Sequence, residues 1–296
     1  MRNFPPVPAL SLTVRDLGQI ARSPLLRWLR CRSLASVLLS ATLWTAGGIG
    51  PQAIATASPQ QVPPTLTNLI RQIDGAANRQ DLGSLLQFYS PRFTHSDGLT
   101  RETLAAALTR LWERYPDLDY RTRVESWEAV DNGFEVETVT EIEGTGMSSD
   151  RAVRLKATLR SRQRYENGQM VRQDLLAENT EVTSGDNPPE VKVNLPDEVR
   201  VGGRYNFDAI VLEPLRDDLL LGYAIDEPAR ADRLLNPSQV QLQPLAAGGI
   251  FKVGRAGAIE DSLWISAALF RHDGLSLITR RLRILERGDR NSHLPL

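Results

Sequence analysis

Hydrophobic positions recur at helical spacing in three stretches near the start of the patterned part of the chain. Leu66, Leu69, Ile70 and Ile73 share one face of a helix from Thr65 to Asn78, and Leu82, Leu85, Leu86 and Phe88 resume the period after a turn at Asn78 to Asp81. Pro91 stops this helix pair, Phe93-Thr94-His95 reads as extended, and Asp97-Gly98 turns the chain. Thr100 then opens a third helix, with Leu104, Leu108, Leu111, Trp112 and Tyr115 on one side and Pro116 as its stop.

From Tyr120 the period falls to two. Strands are expected at Tyr120 to Val130, Phe134 to Glu143, Arg151 to Tyr165 and Gln169 to Val182, separated by Asn132-Gly133, Gly144 to Ser149 and Asn167-Gly168. Glu135, Glu137, Glu141 and Glu143 alternate with apolar or neutral residues in the second strand, as Arg154, Lys156, Arg160, Arg162 and Arg164 do in the third. Acidic and basic ladders on neighbouring strands form cross-strand pairs on a solvated face and fix the register. Helices lying in the concave face of a bent antiparallel meander make this part α+β. After Ser184 to Pro189, a linker by composition, short apolar or alternating runs follow at Val191, Tyr205, Leu219, Val240, Ile250, Leu263 and Leu275, with Gly, Pro and Asp between them. About seven such strands predict an all-β immunoglobulin-like sandwich. Trp264 is expected in its core and Arg280, Arg281 and Arg283 on an exposed strand face.

The first 57 residues follow a different pattern. Arg22, Arg27, Arg30 and Arg32 precede the apolar run at residues 34–44, and Ala53-Ile54-Ala55 and Ala55-Thr56-Ala57 fit a small-x-small cleavage pattern. This predicts an export signal with a long basic leader, cleaved near Thr56 or Ser58. A retained membrane anchor at residues 34–50 is the alternative, although a spanning helix needs about 20 apolar residues. A transit peptide and a misplaced start codon also fit the leader. The expected organisation is signal 1–57, linker 58–64, α+β domain 65–183, linker 184–189, sandwich 190–287 and tail 288–296.

Composition narrows the chemistry. Cys31 is the single cysteine and lies in the leader, so a mature exported form has no disulfide or thiolate chemistry. His95, His272 and His293 are the histidines, and their spacing forms no metal motif. Phosphate-loop, dinucleotide and nucleophile-elbow motifs are missing. The reading therefore assigns no metal and no cofactor. A formal net charge of −1 speaks against nucleic acid as a partner.

The run LTNLIRQIDGAANRQDLGSLLQFYSPRFTHSDG, the later LTRLWERYP and four strands carrying a GTG sequence resemble the cone-shaped nuclear transport factor 2-like superfamily, which includes ketosteroid isomerase and scytalone dehydratase. The resemblance covers about Pro64 to Thr183 and implies an α+β cone with an open mouth. It implies Asp97 as a general base where isomerase-like members carry a catalytic carboxylate, with His95 beside it. It also implies a pocket lined by Tyr89, Trp112, Tyr115, Thr138, Thr140, Ser161 and Gln163. The residues themselves also support simpler readings: Asp-Gly is a routine turn pair, a lone His is commonly a buried hydrogen-bonder, and Trp112, Tyr115 and Trp127 at regular spacing are commonly core. The sequence is read as an exported two-domain binding or interaction protein without catalysis. The cone would serve dimerisation or a small apolar ligand, and the sandwich would dock an exported or membrane protein. The alternative is a proton-transfer enzyme, isomerase or dehydratase in kind, using Asp97.

Overall fold

A computed structural model describes residues 11–12, 61–148, 151–214, 219–235, 239–245 and 248–286. The export signal, its cleavage sites, Cys31 and the C-terminal tail expected from 288 lie outside these residues, apart from Ser11 and Leu12. Strand β1 (Ser11–Leu12) pairs with β11 (Gln239–Val240) in parallel. Among the described residues no helix is long and apolar enough to cross a membrane.

Three helices come first. Helix α1 (Pro64–Asn78) starts on a proline, whose fixed φ and missing N–H suit the first turn. It is followed by α2 (Leu82–Leu86), capped by Asp81, which accepts from Ser84 N–H at 3.0 Å. Strand β2 (Tyr89–His95) leads into α3 (Arg101–Arg114), which opens on a reciprocal capping box between Thr100 and Thr103. The meander β3 (Asp119–Val130), β4 (Gly133–Ser148), β5 (Arg151–Glu166) and β6 (Gln169–Gly185) follows in antiparallel register. Asn132 and Asn167 take positive φ at the two hairpins preceding Gly133 and Gly168, as the Asn-Gly pairs require. The charged ladders meet as expected: Arg162 and Arg160 both reach Glu137, at 2.7 and 3.0 Å, and Lys156 reaches Glu143 at 3.0 Å.

The strand expected to end at Glu143 runs on to Ser148, which pairs with Arg151. Gly144-Thr145-Gly146 lies within β4, where a side chain on Gly146 would meet the Arg114 carbonyl oxygen at 2.1 Å. Both glycines are needed because the strand runs against the end of α3 and the Asp117-Leu118 segment behind it.

The C-terminal part contains β7 (Val191–Asn194), β8 (Glu198–Arg200), β9 (Arg204–Val211), β10 (Leu221–Pro228) and the short α4 (Ala231–Leu235). Beyond β11 come β12 (Gln243–Pro244), β13 (Gly249–Arg255), β14 (Asp261–Arg271) and β15 (Gly274–Leu285). Strands β13, β9 and β7 form a separate three-stranded sheet. The hairpin β14–β15 instead extends the meander, because β15 pairs antiparallel with the second half of β6, from Gly274 opposite Gly185 to Arg280 opposite Asn179. The sheet therefore runs through Ser184 and Gly185, where composition suggested the start of a linker. Both segments belong to one compact unit.

Two hydrophobic clusters lie on opposite faces of this shared sheet. One joins Leu66, Ile70 and Trp112 of the helices to Val136, Tyr165 and Met170, and takes in Tyr223, Ala268 and Leu277 from the C-terminal strands. The other packs Phe207 and Ala209 of the small sheet against Ile265, Leu269, Ile278 and Leu282. Alternation along β14 and β15 thus sends successive side chains to different cores.

Candidate functional site

Strand β6 determines the site. Its first half pairs in parallel with β2, His95 lying opposite Gln173, and its second half pairs with β15 on the same edge. Between these partners lies Glu178. Two one-residue register shifts in β6, at Val171 and at Leu176, reset its alternation. Gln173 and Leu175 face the helices before the second bulge, and Glu178, Thr180 and Val182 face them after it. Uninterrupted alternation would have turned Glu178 to the other side, so the bulge aims this carboxylate inward.

The loop after β2 meets it there. Ser96 N–H donates to the Gln173 carbonyl at 3.0 Å, and Leu175 N–H donates to Ser96 Oγ at 3.1 Å, pinning the loop to β6. Gly98, at φ +79°, closes the turn with its N–H on the His95 carbonyl at 2.9 Å. Asp97 does more than turn the chain. Its two carboxylate oxygens accept from Arg281 Nη1 and Nη2 at 2.9 and 2.6 Å, with Asp97 7% and Arg281 2% exposed. Arg281 Nη2 also donates to Glu178 Oε2 at 3.1 Å, as does Trp264 Nε1 at 2.8 Å. Burial disfavours the charge on Arg281, but Glu178 and Asp97 outweigh it and hold the guanidinium protonated.

The exposed strand face expected for Arg281 is therefore corrected: β15 joins β6, so this side chain lies between the sheet and the Asp97 loop. Trp264 is buried, but on the cavity side of the sheet rather than in the core of the C-terminal strands where it was expected, and its indole N–H is committed to Glu178. Arg281 and Glu178 were missed because their partners lie 184 and 103 residues away from Arg281 along the chain. The Asp-Gly pair was legible, but its ionic partner was not.

These groups border a half-open cavity of about 670 Å³ between the helices and the sheet. Its wall is mostly aliphatic, with Ile70, Ile73, Leu108, Leu155, Leu159 and Met170 among the contributors. His95, Asp97, Tyr89, Tyr115, Thr140 and Gln163 reach it from the sequence-based set. Three members of that set do not. Trp112 packs in the core with its Nε1 on Tyr120 Oη at 3.0 Å, while Thr138 and Ser161 are buried against one another at 3.2 Å. Ser161 also accepts from Gln163 Nε2 at 3.0 Å, and Tyr165 donates to Gln163 Oε1 at 2.7 Å, so Gln163 is held by its neighbours. Trp127 packs edge-on against Phe134 and is not part of the cavity wall.

Three further groups set the polarity. His95 Nδ1 accepts Asp97 N–H at 3.0 Å, and burial lowers the ring pKa against the pull of Asp97, so the imidazole is neutral with its proton on Nε2. Asp74 on α1 accepts from Thr122 N–H and Oγ1 at 2.8 and 2.7 Å, while burial raises its pKa. Tyr89 is 9% exposed, makes no hydrogen bond to a described residue, and burial pushes its hydroxyl up to about 12. It is a neutral donor at any ordinary pH. Among the described residues no group of His, Cys, Asp and Glu is arranged to hold a metal ion.

Residues 186–285 match the family described as a domain of unknown function, DUF8623. No curated protein matches the chain. Solved structures similar to it include Bd1075 of Bdellovibrio bacteriovorus, at 13% identity and a TM-score of 0.28 over 38% of this chain and 38% of that one. A phenazine biosynthesis-related protein from Pseudomonas aeruginosa is similar at 13% identity and a TM-score of 0.29, over 40% of this chain and 82% of that one. AusH from Aspergillus nidulans is similar at 21% identity and a TM-score of 0.28, over 38% of this chain and 85% of that one. The chain spans well under two thirds of the length of Bd1075.

Proposed function

We propose that this protein binds a small, mainly apolar molecule in the cavity between the helices and the sheet, without transforming it. The supporting observation is the cavity itself: about 670 Å³, a mostly aliphatic wall, and a few polar groups held in place by their neighbours. The alternative of proton transfer by Asp97 is less well supported, because both its oxygens accept from a buried guanidinium. A general base needs an accessible lone pair near the proton that it removes.

The test is titration with Nile red, an uncharged dye that fluoresces in apolar surroundings. A saturable rise at one dye per chain is expected. Ala157, buried in the cavity wall, is replaced by Phe to narrow the space. Ala157→Phe should weaken binding while leaving the circular dichroism spectrum unchanged, and a wild-type chain without saturable binding would overturn the proposal.

The basic leader and small-residue exit support export, which N-terminal sequencing of native material tests: an intact Met1 on cytoplasmic protein would sink it. The immunoglobulin-like description of the C-terminal strands is supported only by strand number and turn spacing. Partner docking there is favoured by Phe251 and Val253, 58% and 59% exposed on β13, which pairs with β9 alone among the described strands.

A further inference from the structure

The inner wall of the cavity is acidic. Asp74, Asp97 and Glu178 line it, and the guanidinium of Arg281 bridges the last two. The other basic side chains of the lining, Arg110 and Arg114, belong with Glu113 to the last turns of α3; Arg110 and Glu113 are exposed, while Arg114 is part-buried over the Tyr115 ring and donates to Ser148 Oγ at 2.9 Å. A carboxylate charge facing an aliphatic wall is costly unless a cation or donors meet it.

The lone pairs of the three carboxylates are not equally occupied. Arg281 takes both oxygens of Asp97, and Thr122 takes both of Asp74. Glu178 receives its two donors, Trp264 and Arg281, on Oε2 alone, so Oε1 accepts from no described residue. Independently, the hydroxyl of Tyr89, a residue more than nine-tenths buried on the cavity wall, has no hydrogen-bond partner among the described residues. Both residues line the cavity, where the polar groups of a ligand can meet these atoms in place of water.

Resting on the ligand-binding reading above, we infer that the cavity takes an apolar molecule bearing one protonated amine, whose ammonium donates to Glu178 Oε1. The hydrocarbon body fills the aliphatic space, and the Tyr89 hydroxyl pairs with a second polar atom of the molecule where it has one. A carboxylate-bearing molecule of the same shape would face three carboxylates. A neutral one would offer Glu178 an uncharged donor at best.

Calorimetric titration of the full chain near neutral pH with octylammonium, octanol and octanoate separates these cases. Octylammonium should bind at least about tenfold more tightly than octanol, the usual scale of a charge-assisted hydrogen bond, and octanoate most weakly. Glu178→Gln should remove the advantage of the ammonium over octanol, and retained binding of either probe shows that the variant folds. Equal affinity of octanol and octylammonium for the wild-type chain, or an advantage that survives in Glu178→Gln, overturns the inference while leaving apolar binding intact. Failure of all three probes overturns the binding reading and this inference together. Were Glu178→Gln not to fold, the wild-type ratio of the two affinities alone would decide.

Discussion

Replacing Asp97 with Asn distinguishes a turn residue from an ion-pair partner. The turn itself should survive: the positive φ is carried by Gly98, and Asn tolerates the conformations open to Asp. The charge does not. Asp97 and Arg281 are 7% and 2% exposed and joined by two hydrogen bonds, and removing one partner of such a buried pair costs about 3–5 kcal/mol. Two features reduce that figure here. The Asn amide oxygen still accepts one guanidinium N–H, and Glu178 still neutralises Arg281 from the other side. The expected loss is therefore about 2–3 kcal/mol, or about 4–12 °C in Tm for a body of this size. Urea unfolding of Asp97→Asn, Arg281→Met and the double variant measures it. Arg281→Met alone should be the more damaging, since it leaves two inward carboxylates without a counter-ion, and the double variant should lose less than the sum of the singles. A loss within about 0.5 kcal/mol for Asp97→Asn would refute the reasoning and return Asp97 to the role of a turn residue.

Three other outcomes are expected. Gly146→Ala places a methyl group 2.1 Å from the Arg114 carbonyl oxygen and should cost about 1–3 kcal/mol in denaturant unfolding, whereas the open Gly168 accepts no such clash and, at φ +78°, suffers only its backbone strain. His95 has its folded pKa lowered below the ordinary 6.5, so below about pH 6.5 the unfolded chain binds a proton that the folded one refuses. Stability present above that value should fall as pH drops through the folded pKa, and His95→Gln should flatten this part of a melting-temperature profile. Because β15 completes the edge of β6 and the first core includes Tyr223, Ala268 and Leu277, calorimetry should show one unfolding transition for residues 62–286. Two resolved transitions, or two protected fragments after cleavage at residues 186–189, would show separable domains instead.

Local pattern determined much of this protein by itself. The period of Leu66, Ile70 and Ile73 specified α1, and Trp112 and Tyr115 marked the buried side of α3, because a helix that must cover a sheet needs one apolar face. The Asn-Gly pairs specified hairpins, because positive φ is needed at both places, and the alternating charges specified the outer face and register of β4 against β5. The same pattern failed in identifiable places. Thr138 and Ser161 share the inward parity of the cavity residues but satisfy one another in the core, and the Gly144–Gly146 segment signalled a turn where β4 needed room beside α3.

Tertiary structure alone decided the site. Periodicity states which side chains share a face, not which edge a strand will join, so nothing in residues 274–285 disclosed that they would extend the sheet of the N-terminal half. Once β15 paired with β6, an arginine that alternation placed on a solvated face was closed in by the Asp97 loop. The bulge at Leu176 inverted the parity of the remainder of β6 and brought Glu178 to the same place. A one-residue shift leaves no compositional trace, yet it moves every following side chain to the opposite face.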